Sequence, residues 1–114
     1  MKVYDLEERT LAFSKDVISL CRKLPKNSIN IPLISQIVRS ATSVGANYRE
    51  ANDSLSKKDS VLRLKIARKE AKETSYWLDI LLEAEPKFKL ELENLIKECI
   101  EIRNILSSII NKFK

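Results

Sequence analysis

Apolar residues recur at alternating steps of four and three in four successive stretches, and no other feature constrains the fold of this chain as strongly. At 3.6 residues per turn, that spacing gathers them on one face of an α-helix. The first stretch carries Leu6, Thr10, Phe13, Val17, Leu20 and Leu24 and ends at Pro25, with Cys21 beside the seam. The second carries Ile34, Ile37, Ala41, Val44, Tyr48 and Ala51; Asn30 is its expected N-cap and Pro32 sits in the first turn, where proline is tolerated. A capping-box-like Ser56 and Asp59 open the third, which runs to about Glu83 with Leu64, Ala67, Ala71, Thr74, Leu78 and Leu81 on its seam. After Pro86 the fourth runs from Lys87 to Asn111, with Phe88, Leu92, Leu95, Cys99, Ile102, Leu106, Ile109 and Phe113 in the same alternation. Four helices with short connections predict an all-α, antiparallel, up-down-up-down four-helix bundle, with residues 1–114 as one domain. Ile96, Ile100, Ile105 and Ile110 fall outside the fourth seam and widen its apolar surface, either as a broad core face or as a surface for self-association.

The second stretch has an unusual middle. Ser40, Ala41, Thr42, Ser43, Gly45 and Ala46 are all small, and Gly45 is the only glycine in the chain. A mid-helix glycine costs about 1 kcal/mol relative to alanine, so close approach of another helix is the expected compensation. Ala67, Ala71 and Thr74 are small in turn, which points to the third helix as the close neighbour. Asn47 and Glu50, three residues apart, are expected to pair by a hydrogen bond that fixes register.

Composition narrows the chemistry. The chain has no histidine, which removes the usual neutral-pH general base, the Ser–His and Cys–His nucleophile pairs and the Glu-x-x-His ligands of di-iron bundles. Glu70 with Glu73 and Glu98 with Glu101 have a spacing that suits metal ligation or helix-surface ion pairs, and without histidine the ion pairs are preferred. Neither a catalytic residue nor a metal or cofactor is expected, and a metal-dependent or hydrolytic enzyme is disfavoured. Cys21 and Cys99 lack CxxC spacing and read as reduced core thiols. An N-terminus that turns polar at once, and the lack of any apolar run near about 18 residues, point to a soluble cytoplasmic protein without membrane contact.

Charge is concentrated in one place. Lys plus Arg number 21 against 16 for Asp plus Glu, giving a net charge of +5. Residues 57–72 hold seven basic and two acidic side chains, and the remainder is balanced at 14 each. On a helix, Lys58, Lys65 and Lys72 recur on one line with Arg68 and Lys69 beside it, and Arg39 and Arg49 share the outward side of the second helix. Such a stripe suits a phosphate backbone; the plainer reading is a solvated helix face. Tyr48 and Tyr76 are the nearest aromatics in sequence, so base stacking and sequence-specific readout are not expected. A second functional reading makes the basic face a docking site for an acidic or RNA-bound protein partner, with no direct nucleic-acid contact. Trp77, with Tyr76, is expected at the edge of the core or over a subunit interface.

The run QIVRSATSVGANYREA followed by SKKDSVLRLKIARKEAKETSYWLDILLEA resembles the four-helix-bundle proteins encoded in intervening sequences of bacterial 23S ribosomal RNA genes. That superfamily includes the accessory variability protein of diversity-generating retroelements. The resemblance spans about Phe13 to Leu82, and its marks include Ser43, Gly45, Asn47, Glu50, Glu73 and Trp77. It implies a homopentamer with a positively charged surface for RNA or DNA and, in the retroelement branch, contact with a reverse transcriptase. The family has no strict basic motif, so Lys58, Lys65, Arg68, Lys69, Lys72, Arg39 and Arg49 are assigned by charge placement in this chain.

Overall fold

A computed structural model describes residues 5–113. Four α-helices, α1 (Leu6–Lys23), α2 (Asn30–Asn52), α3 (Lys57–Ala84) and α4 (Lys89–Asn111), form an antiparallel four-helix bundle of 44 × 30 × 20 Å. A single 3₁₀ turn at Pro86–Phe88 leads into α4. Cross-helix contacts establish the antiparallel order, because partner numbers fall on one helix as they rise on the next. Thr10 lies against Gly45 and Ser14 against Ala41; Arg39 meets Glu73 and Arg63 meets Asn47; Ala71 meets Cys99 and Lys57 meets Phe113. α2 packs most extensively on α3, α3 on α4 and α1 on α2, and α1 closes the bundle on α4.

Local chemistry sets the helix ends. The Asp5 carboxylate accepts from the backbone N–H groups of Glu7 and Glu8 at 3.0 and 3.3 Å, and Ser56 Oγ accepts from Asp59 N–H at 3.1 Å, as its spacing predicts. Lys26 Nζ donates to the carbonyls of Cys21 and Leu24 at 2.9 and 2.6 Å, satisfying acceptors at the C-terminus of α1. Asn30 is not the N-cap of α2. Asn27 fills that role, its Oδ1 accepting from Ile29 and Asn30 N–H at 3.1 and 2.8 Å. Asn30 is instead buried inside the first turn, and its Nδ2 donates to the Pro25 carbonyl and to Glu85, both at 2.9 Å, tying the two connections at this end of the bundle.

The core follows the seams, with Ile34, Tyr48, Phe88 and Phe113 only partly buried and with Ile110 buried in place of Ile109. A four–three repeat averages 3.5 residues per turn, and the mismatch with 3.6 rotates the seam by about 20° per heptad. Eighteen residues make five full turns, so Ile110 returns to the face of Leu92 and takes the core position. Of the other isoleucines outside the seam, Ile96 and Ile105 pack half-buried against the core, whereas Ile100 is partly buried without joining it. Among the buried polar groups, the Thr10 hydroxyl donates to Leu6 or Glu7 carbonyls at 2.9 and 3.1 Å and Thr74 lies 2.9 Å from Ser40 across the α2–α3 contact, whereas Asn30 Oδ1 is buried without a hydrogen-bond partner.

Gly45 faces α1 rather than α3. A Cβ there would stand 2.8 Å from Thr10 Oγ1 and 3.1 Å from Thr10 Cβ, so the glycine is what lets α1 approach α2. Ser40 and Thr74 form the close α2–α3 contact one turn away. The expected Asn47–Glu50 pair does not form: Asn47 Nδ2 donates to the Ser43 carbonyl at 2.9 Å and its Oδ1 accepts from Arg63 at 3.3 Å, while Glu50 points to solvent. Asn47 thus reaches across to α3 through Arg63 instead of pairing within α2.

Candidate nucleic-acid interface

The outward face of α3 is built from side chains that the core does not use. With Leu64, Ala67, Ala71 and Leu78 buried, the opposite face must carry residues 58, 65, 69 and 72. Lys58, Lys65, Lys69 and Lys72 are exposed along it, and among the described residues none has a carboxylate within ion-pair distance. Each is an uncompensated, solvated cation on a rigid helix.

The arginines grouped with them are placed differently. Arg39 spans from α2 to α3, with Nη1 donating to Glu70 at 3.1 Å and Nη2 paired with Glu73. Arg49 lies 3.9 Å from Glu7 on α1, and half-buried Arg68 reaches Ser107 on α4 at 3.4 Å. The structure therefore brings together the four lysines, with Arg68 beside them; Arg39 and Arg49 stand at the edge, already engaged within the bundle.

The same partners account for the two glutamate pairs. Glu70 and Glu73 hold Arg39, while Glu98 takes a bidentate Arg9 at 2.6 Å through both oxygens and Glu101 accepts from Arg9 at 2.9 Å. Among the described residues no group of three or more His, Cys, Asp or Glu stands together as a metal site. Glu73 also accepts from Trp77 Nε1 at 3.0 Å, and Trp77 stands edge-on to Tyr76 with ring centroids 5.2 Å apart. Trp77 is half-buried and packs at the core edge, the first of its two expected positions.

Two exposed side chains on this face escape a reading by proximity in sequence. Leu62 is 55 % exposed and Tyr76 is 60 % exposed. Leu62 follows Lys58 by four residues, and Tyr76 follows it by eighteen, which is five helical turns. Counting in turns rather than in residues places both on the lysine line. At its N-terminal end the line runs into an open, mainly apolar groove of about 630 Å³ lined by Lys57, Lys58, Asp59, Val61, Leu62 and Lys65. Leu55, at the α2–α3 turn, is fully exposed nearby in the chain.

The outer face of α3 thus turns a row of lysines without ion-pair partners to solvent. The family model for the 23S rRNA-intervening sequence protein matches residues 2–108, and the chain belongs to that family. A crystal structure of a protein of unknown function from the S23 ribosomal protein family of Bacteroides thetaiotaomicron has the same fold. It is 34 % identical, covers 92 % of this chain and 97 % of its own, and superposes with a TM-score of 0.82. No curated protein matches the sequence. Among the described residues no helix is long and apolar enough to cross a membrane.

Proposed function

We propose that this protein is a non-enzymatic, oligomeric nucleic-acid-binding accessory protein that works through the outer face of α3. One observation carries the reading: Lys58, Lys65, Lys69 and Lys72, each exposed and without an ion-pair partner, follow one another along a single line of α3. An uncompensated row of this kind gains free energy by releasing phosphate counterions. Membership of a family associated with ribosomal RNA genes supports a polyanionic partner. Arg68, Arg39 and Arg49 flank the row and contribute positive potential from their internal pairs. Assembly into a pentamer, as in the proteins the sequence resembles, would repeat the row five times and raise avidity without new contacts. The narrower form of the proposal places the assembly in the cytoplasm beside a reverse transcriptase of a diversity-generating retroelement.

Mobility shift with structured RNA and duplex DNA at low and moderate salt tests the reading. Binding that weakens with salt, and weakens further when all four lysines become glutamine, supports it; absence of binding at low salt overturns it. A second reading has its own observation, since the apolar groove beside Lys57, Lys58 and Lys65, with Leu55 exposed, suits an acidic protein segment. Co-purification from the native host with and without nuclease separates the two, because a partner docked directly survives nuclease and one held through nucleic acid does not.

A further inference from the structure

We infer that the α3 face takes unpaired rather than duplex nucleic acid, with Tyr76 as a base-stacking platform at the end of the lysine track; this rests on the nucleic-acid reading above. Among the described residues Tyr76 is the aromatic left most open to solvent, and it lies on the lysine line five turns from Lys58. An isolated exposed tyrosine on a soluble bundle is unremarkable by itself. Three further observations give this one a use.

The ring is backed. Trp77 stands against it at 5.2 Å and an interplanar angle of 67°, Trp77 Nε1 is held by Glu73, and Glu73 is held by Arg39 of the neighbouring helix. A platform ordered in advance loses little conformational entropy when a base settles on it. The track is narrow. Lys58, Lys65, Lys69 and Lys72 span about 21 Å along the helix axis in a single row, which suits one phosphate backbone better than the two of a duplex. The track also has an end. Asp79 and Glu83 are exposed beyond Tyr76 on the same side of α3, so a phosphate is repelled where an uncharged base face is not.

Tyr76 thus marks the point where the backbone stops being attracted and the base begins to be. In a duplex every interior base face is already stacked, and Tyr76 has nothing to meet. In an unpaired stretch it does, and stacking of this kind tolerates any base. Leu62, exposed between Lys58 and Lys65, adds an apolar contact for sugar or base on the same line.

Fluorescence anisotropy with an unstructured oligonucleotide, and with the same strand annealed to its complement, reads this directly in the 114-residue chain. The wild type is expected to prefer the unpaired strand. Tyr76→Ala is expected to weaken that binding about tenfold, the scale of one base–aromatic stack, and to leave duplex binding nearly unchanged, while Tyr76→Phe retains the preference. Because Tyr76 is exposed, circular dichroism should show an unchanged fold in both variants. Equal affinity for the two forms, or a Tyr76→Ala variant that binds as the wild type does, overturns the stacking role and leaves the lysine row as a general polyanion surface. Polyglutamate competing as well as the oligonucleotide at equal charge also overturns it and points to an acidic protein instead. No wild-type binding to either form at low salt removes the nucleic-acid reading and this inference together.

Discussion

The contact between Gly45 and Thr10 shows how one residue decides a helix–helix distance. Alanine at position 45 gains about 1 kcal/mol in helix propensity. Its Cβ would also meet Thr10 Oγ1 at 2.8 Å, and Thr10 cannot swing away freely because its hydroxyl is buried and bonded to the preceding turn. Overpacking of this sort costs roughly 1–3 kcal/mol, so Gly45→Ala is expected to lower stability in urea denaturation. Thr10→Ala removes the oxygen that clashes, and the double variant should therefore be more stable than the sum of the two single effects. Strict additivity would show that the contact does not set the spacing. The two buried thiols give a second residue-scale expectation. Burial raises Cys21 above the ordinary value of 9.0 and Cys99 to about 12, with Ala71 O accepting from Cys99 at 3.1 Å. Both are thiols at neutral pH, so alkylation should be slow in the native protein and fast in denaturant. A folded-state pKa above the unfolded one favours the native state below pH 9. That contribution should be lost as the pH rises from about 9 toward 12, lowering the melting temperature.

At the scale of elements, α2 and α3 are joined by a polar seam as well as an apolar one. Arg39 ties Glu70 and Glu73, Ser40 meets Thr74, and Arg63 reaches Asn47. Glu70 is nearly buried, so Arg39→Gln would leave its carboxylate without its counter-ion. Arg39 itself is 44 % exposed, and solvent moderates the loss to about 1–2 kcal/mol, measurable by urea denaturation. The same change should increase the mobility of Trp77, read as altered fluorescence, because Glu73 holds both partners. These helices were legible in the sequence because four–three periodicity, Pro25, Pro86 and the Ser56 cap each mark a boundary by a local mechanism. Periodicity reveals which face is buried but not which neighbour covers it, and for that reason Gly45 pointed to α3 and proved to face α1. The lysine row was legible for the same reason as the seams. Its contrast with the paired arginines was not, since an ion pair between helices depends on distances that spacing along one helix does not encode.

Taken as a whole, the molecule separates two surfaces that can be perturbed independently. The outer face of α3 carries the unpaired lysines, whereas Ile29, Ile31 and Leu90 leave apolar side chains exposed at the end of the bundle where Asn30 bonds Glu85. If the lysine row meets phosphates, each contact contributes about 0.7–0.9 to the slope of log affinity against log salt. Replacing Lys58, Lys65, Lys69 and Lys72 with glutamine should flatten that slope by about 3 for one subunit, without changing oligomeric state by light scattering. If the chain self-associates through its apolar end, Ile31→Glu with Leu90→Glu should shift the scattering mass to that of a monomer while circular dichroism stays helical, since both side chains are already exposed. Nucleic-acid affinity should then fall through lost avidity, with the per-subunit salt slope preserved. A wild type that is monomeric at micromolar concentration would remove the multivalent part of the proposal and leave the lysine row to act alone. A glutamine variant whose salt slope matches the wild type would remove the row itself, whatever the oligomeric state.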